Sequence, residues 1–149
     1  MHVNALKHGT LFFDTYHHRN DLIIGEIGSY DVNGSIRSNI ENRCKEYIGF
    51  DFQHGPGVDI VLDDPYQLPV DDNTFDMLVT TSCFEHSELF WLTFLEALRV
   101  LKPTGLLYVN APSSWMCYHR FPVDCWRFYP DSAKALETWA NRNDIQLWC

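Results

Sequence analysis

With 149 residues, 46% of them hydrophobic and 21% charged, the chain has the length for one domain with a sizeable core and too much apolar content for disorder. A net charge of −9, against only 11 Lys and Arg that form no run, argues against a nucleic-acid surface and favours a small or uncharged substrate. No apolar stretch approaches the roughly 18 residues of a membrane span, and the N-terminus lacks a signal-peptide centre, so no membrane partner and a cytoplasmic location are expected.

Residues 1–20 have no clean period. Leu11, Phe12, Phe13 and Tyr16 suit a short helix or a lid over a ligand site, and His17 to Asn20 a solvated connector. Leu22, Ile23 and Ile24 then make an apolar run too short for a helix, broken by Gly25-Glu26-Ile27-Gly28 in the manner of a buried parallel strand. Ile36 and Ile40 predict a short helix, and Tyr47 to Phe50 a second strand closed by Asp51. Strand, glycine turn, helix, strand and acid together describe a nucleotide-cradling βαβ unit. Gly28 permits a tight turn and a close ligand approach. Asp51, 23 residues further on, sits near the spacing of about 20 expected for an acid on the ribose hydroxyls. The G-x-G-x-x-G pattern of a dinucleotide site is missing, because Tyr30 and Asp31 follow Gly28 and Ser29. An acidic turn with Glu26 and Asp31 suits a positively charged nucleoside such as S-adenosylmethionine. An ordinary crossover without a ligand stays open from this stretch alone.

Val58 to Leu62 predicts a third strand ending at Asp63-Asp64, and Phe75 to Thr81 a fourth ending in Ser82-Cys83-Phe84-Glu85-His86. Both would end at the same ligand-binding edge as Gly28 and Asp51. A helix is expected over 87–101, stopped by Pro103, with a fifth strand over Leu106 to Val109. The aromatic and polar segment 113–129, with Trp115, His119, Arg120, Phe121, Asp124 and Arg127, reads as the acceptor-side wall of a pocket. Pro130 opens a last helix, and Ile145 to Cys149 look like the start of another strand. The fold class is α/β: a Rossmann-like, doubly wound, mostly parallel sheet flanked by helices in a single domain. The five cysteines form no C-x-x-C pair and are expected to be reduced. Cys117, His119 and Cys125 fit no common zinc spacing, so no metal is expected.

Several segments carry a resemblance: Glu26-Ile27-Gly28-Ser29-Tyr30-Asp31-Val32-Asn33-Gly34-Ser35, Tyr47-Ile48-Gly49-Phe50-Asp51, Leu68-Pro69, Asn73-Thr74-Phe75-Asp76, Phe84-Glu85-His86, and Val100 to Leu107. In this order they resemble the motifs of class I S-adenosylmethionine-dependent methyltransferases of the type 11 group. The segment His119-Arg120-Phe121-Pro122, Asp124, Trp126-Arg127-Phe128 and Pro130 is similar to one found in a subset of that group. The resemblance implies that Glu26 and Gly28, with Ser29 and Tyr30 after them, hold the methionine end of the cofactor. It also implies that Asp51 takes the ribose hydroxyls, that Asp64 lies near the adenine amine with Phe52 packed on the ring, and that Ser82 and Cys83 line the path of the methyl group. Tyr30 and Val32 stand where the common form has glycines, and Thr104 replaces a glycine in the K-P-G-G turn.

Methyl transfer is an in-line displacement, so the protein's main task is alignment. If the acceptor must lose a proton, His86 and His119, the latter with Asp124, are the candidate bases. His86 also reads as a helix-cap residue. Family members usually finish with a sixth and a seventh strand, so either the protein is a shortened version or a piece is missing, and a sheet without those strands would leave an edge near Leu147 and Trp148. A homodimer or a terminal arrangement that covers this edge is therefore expected. Two functions follow. One is an active methyltransferase acting on a hydroxyl, amine or carboxyl of a small molecule or sugar; the other is an inactive cofactor-binding or scaffold protein.

Overall fold

β-Strands β1 (Ile23–Ile27), β2 (Glu46–Asp51), β3 (Ile60–Val61), β4 (Phe75–Thr81) and β5 (Leu101–Asn110) form one sheet in the computed structural model, which describes residues 3–147. The strand order is β3-β2-β1-β4-β5 and every pair is parallel. β1 lies at the centre because Ile24, Gly25, Glu26 and Ile27 are all buried, and Gly25 lets Phe75 and Leu78 pack where a Cβ would stand. The chain winds outward from β1 to β3 and then returns to β4 on the other side. This puts a topological switch point between the carboxyl ends of β1 and β4, the place where open α/β sheets bind ligands. Those ends are level, since Ile27 pairs with both Phe50 and Thr80.

Helices cover both faces, and the expected fold class is the one observed. On one face Phe13, Ile24, Ile36, Ile40, Met77 and Val79 pack beneath α1 (Val3–Tyr16). On the other, Ile27, Phe50, Phe75, Leu78, Ala97 and Val100 pack beneath α2 (Phe90–Val100). α1 is a sheet-packing helix: Phe13 is fully buried, Phe12 stacks on Tyr108 with ring centroids 4.9 Å apart, and Gly9 admits the end of Ile36.

The helix expected after Gly34 is replaced by two single 3-10 turns, Arg37–Asn39 and Glu41–Arg43. Local bonds explain the difference. The Arg37 N–H donates to Ser35 Oγ, and the Ser38 hydroxyl donates to the Ser35 carbonyl, so side chains compete with the helical ladder. Ile36 and Ile40 still reach the core from these turns.

α2 begins three residues later than expected. β5 begins earlier, at Leu101, with an irregularity that takes up Lys102 to Gly105 before Leu106–Asn110 pair regularly with β4. Arg99 clamps the preceding loop by donating to the carbonyls of Leu68 and Val70 and to Asp72. After α3 (Ser132–Arg142) residues 143–147 form no strand. Ile145 and Leu147 instead pack against the cluster of Phe84, Phe94, Leu98 and Ala140. Trp148 and Cys149, on which the expected extra strand and covered edge also depend, lie outside the described residues. No helix among those residues is long and apolar enough to cross a membrane.

Candidate active site

A cavity of about 880 Å³ opens at the switch point, within the range of roughly 300–1,000 Å³ common for small-molecule sites. The turn after β1 forms its floor. Gly28 has φ +78°, and a Cβ there would stand 2.7 Å from Cys83 Cβ, so glycine is required both for the left-handed backbone and for the close crossing of β4. The Gly28 and Ser29 N–H groups donate to the Phe50 carbonyl at 2.9 and 3.1 Å, tying the turn to the end of β2.

Two carboxylates flank this turn. Glu26, 2% exposed, accepts a 2.8 Å hydrogen bond from the Tyr47 hydroxyl, and burial pushes its pKa up to about 7. Asp51, 8% exposed, accepts from the Gln53 N–H at 2.9 Å through one oxygen and from the Tyr30 N–H at 3.2 Å through the other. Tyr30 lies flat against Gly55, where a Cβ would meet its ring at 2.2 Å. Phe52 stands at the rim, 45% exposed and free to pack on a planar ligand.

The opposite wall comes from the end of β4 and from the 113–129 segment. Ser82 adopts a positive φ of 53° and donates its N–H to the Asn110 carbonyl, and burial pushes the Cys83 thiol up to about 12, so Cys83 contributes shape and not a thiolate. His86 Nδ1 contacts the Val123 carbonyl at 2.5 Å, and His119 Nδ1 contacts the Cys117 carbonyl at 3.1 Å. The two rings meet edge to face with centroids 5.1 Å apart. Beneath them Glu85 is buried, and burial raises its pKa. The segment is anchored at several points. Cys125 N–H donates to the Glu85 carbonyl, Trp126 Nε1 donates to the Ser87 carbonyl, and Arg127 grips Asp124 with two nitrogens while reaching the Met116 and Cys117 carbonyls.

Glu26, Gly28, Ser29, Tyr30, Asp51, Phe52, Ser82, Cys83, His86 and His119 thus meet around one cavity. Asp64 and Asp124 do not line it. Asp64 accepts the Tyr66 N–H at 2.9 Å, although its neighbours Pro65 and Tyr66 do reach the rim. Asp124 is wholly occluded, accepts the His119 N–H at 2.6 Å, and is held well below the usual carboxylate range by Arg127. It fixes the loop under His119 instead of facing a ligand. Glu85 was not singled out from the sequence. Its signal was an acid between Cys83 and His86 at the end of a predicted strand. Asn4 and His8 of α1 also line the cavity, which the absence of a clear period in residues 1–20 concealed.

The hydroxyls of Ser29 and Thr81 and one Glu85 oxygen are buried here without a hydrogen-bond partner among the described residues. A polar ligand would satisfy them. With the two carboxylates and the rim aromatic, these residues fit an adenosyl cofactor bearing positive charge.

Fold and site together define an α/β nucleoside-binding protein. Residues 32–109, just over half the chain, match the family model described as a methyltransferase domain, and the chain belongs to that family, whose cofactor is S-adenosylmethionine. Comparison with curated proteins finds no match.

Solved structures share the fold. The YcgJ protein of Bacillus subtilis is 17% identical, with 92% of this chain aligned to 67% of that one and a TM-score of 0.68. A Burkholderia thailandensis 1,6-didemethyltoxoflavin-N1-methyltransferase, solved with 1,6-didemethyltoxoflavin and S-adenosylhomocysteine, is 12% identical, with coverages of 93% and 66% and a TM-score of 0.69. A Haloferax volcanii protein solved in complex with the Trm112 methyltransferase activator is 15% identical, with coverages of 89% and 64% and a TM-score of 0.64. The chain therefore spans about two thirds of the length of these structures.

Proposed function

We propose that the chain is an active methyltransferase that moves a methyl group from S-adenosylmethionine to a hydroxyl or amine of a neutral or cationic small molecule or sugar. The observation that carries this reading is the charge of the cavity. Asp31, Asp51 and Glu88 line it, with the buried Glu26 adding its charge above about pH 7, and no Lys or Arg does so among the described residues. A sulfonium cofactor is favoured there, while a carboxylate or phosphate acceptor would meet uncompensated negative charge.

In the proposed arrangement Glu26 and the Gly28–Tyr30 turn hold the methionine end, Asp51 the ribose, and Phe52 the adenine. Ser82 and Cys83 border the methyl group, with Asp64 beyond the rim. Residues 113–129 wall the acceptor side, and the first turn of α1 closes the top. Held there, S-adenosylmethionine would supply its sulfonium methyl group to an acceptor oxygen and leave as neutral S-adenosylhomocysteine. The hydroxyl proton passes to an imidazole. Both Nδ1 atoms face main-chain carbonyls, which only accept, so both Nε2 atoms are left able to take a proton. Holding the reactants in line can contribute roughly 7–11 kcal/mol at best.

An inactive scaffold would not need two histidines lining the acceptor side of the cavity. A cytoplasmic site of action remains part of the proposal. The test is formation of S-adenosylhomocysteine across a panel of sugar and small-molecule alcohols, amines, carboxylates and phosphates. Turnover confined to the anionic acceptors would overturn the reading.

A further inference from the structure

Three ligand-type atoms converge on the acceptor side of the cavity. Glu85 Oε1 lies 3.8 Å from His86 Nε2 and 3.8 Å from His119 Nε2. Because each Nδ1 faces a carbonyl oxygen, each neutral ring carries its proton on Nδ1 and directs an Nε2 lone pair at the same carboxylate. A positive charge between two lone pairs and a carboxylate is favoured here, where Glu85 is buried, His86 half-buried and His119 open to the cavity. The second Glu85 oxygen is also buried without a hydrogen-bond partner among the described residues, and the side chain is only 1% exposed.

We propose that Glu85, His86 and His119 bind a divalent first-row transition-metal ion of the zinc type, leaving its remaining positions open to an oxygen or nitrogen of the acceptor. The donor set, two imidazoles and one carboxylate, is that of three-ligand zinc sites with an open position. All three ligand atoms lie within 4.8 Å of one another. Tetrahedral bonds of about 2.0–2.1 Å require separations of roughly 3.3 Å, so small side-chain rotations close the site. The surroundings fit as well. Metal-bound histidines commonly donate the other ring nitrogen to a carbonyl or carboxylate, and here both do so, with Asp124 a further 3.6 Å from His119 Nδ1. This cluster is not the Cys117, His119 and Cys125 set weighed from the sequence. Neither cysteine belongs to it.

Ion binding stands without the methyl-transfer reading. Its use, which is to hold the acceptor and ease loss of its proton, rests on that reading and would replace the imidazole as the means of proton loss, because the ion occupies both Nε2 atoms. The test is calorimetric titration of the chelator-treated chain with Zn²⁺, repeated with Co²⁺ to read its visible absorption, each with and without S-adenosylhomocysteine. One equivalent should bind, and His119→Ala should weaken it at least about tenfold. His119 lies on the loop, so the variant should keep its thermal transition; Glu85→Gln serves as a second probe, and His18→Ala controls for binding at the His17–His18 pair. Failure to retain one equivalent, or binding unchanged in His119→Ala, would overturn the proposal, and proton-only bridging of the cluster would give the first result. Metal loss with S-adenosylhomocysteine binding intact refutes this site alone. Loss of S-adenosylhomocysteine binding refutes the function proposed above.

Discussion

Tyr47 on β2 donates its hydroxyl to Glu26 on the neighbouring β1 at 2.8 Å, so the acid facing the cavity is held by a neutral donor and not by a cation. Burial then dominates and raises the Glu26 pKa from 4.5 to about 7. Between these values the folded chain keeps a proton that the unfolded chain has released. Stability should therefore fall as pH rises from about 4.5 to about 7 and then level, with a cost on the order of 3 kcal/mol at most. Urea unfolding over this range should show the slope, and Glu26→Gln should flatten it.

If Glu26 holds the cofactor as proposed, the same carboxylate should give cofactor binding a pH optimum. Affinity for S-adenosylmethionine should rise as Glu26 ionises near pH 7 and decline above about 8, where an α-amino group loses its charge. Calorimetry across pH should give this bell, and Glu26→Gln should remove its acidic limb.

Gly28 and Gly34 both have positive φ, yet an added Cβ meets Cys83 at Gly28 and nothing within 4 Å at Gly34. Gly34→Ala should cost only the backbone term of about 1–2 kcal/mol. Gly28→Ala should cost more and also abolish S-adenosylhomocysteine binding, as read by denaturant unfolding with and without ligand.

Asp124 holds segment 113–129 through Arg127 and the His119 N–H. Asp124→Asn should make trypsin cut faster after Arg120, while stabilisation by S-adenosylhomocysteine is unchanged. Equal loss of both would place Asp124 in the cofactor site instead.

The strands were legible because buried parallel strands are short apolar runs with glycine or acid at their ends. Ile23–Ile27, Glu46–Asp51 and Phe75–Thr81 all follow that pattern. The turn at Gly28 and the acid at Asp51 were legible from spacing. The helix after Gly34 was misread because Ile36 and Ile40 satisfy a helical period that the serine hydroxyls around them undo. Asp64 and Asp124 resisted reading for another reason: Asp64 lies exposed outside the cavity, and Arg127 takes both oxygens of Asp124, neither of which a local pattern encodes. Glu85 and His119, 34 positions apart, meet only because Cys125 and Trp126 bond back to the Glu85 carbonyl. No local pattern encodes that contact.

The central claim is that Asp51 and Glu26 hold an adenosyl cofactor, and thermal unfolding with S-adenosylmethionine, S-adenosylhomocysteine or NAD tests it most directly. At about 100 times its dissociation constant, an adenosyl ligand should add roughly 2.7 kcal/mol. NAD should add nothing, Asp51→Asn should remove most of the gain, and Asp64→Asn should leave it nearly intact. No stabilisation by either adenosyl ligand, or an equal one in Asp51→Asn, would contradict the account.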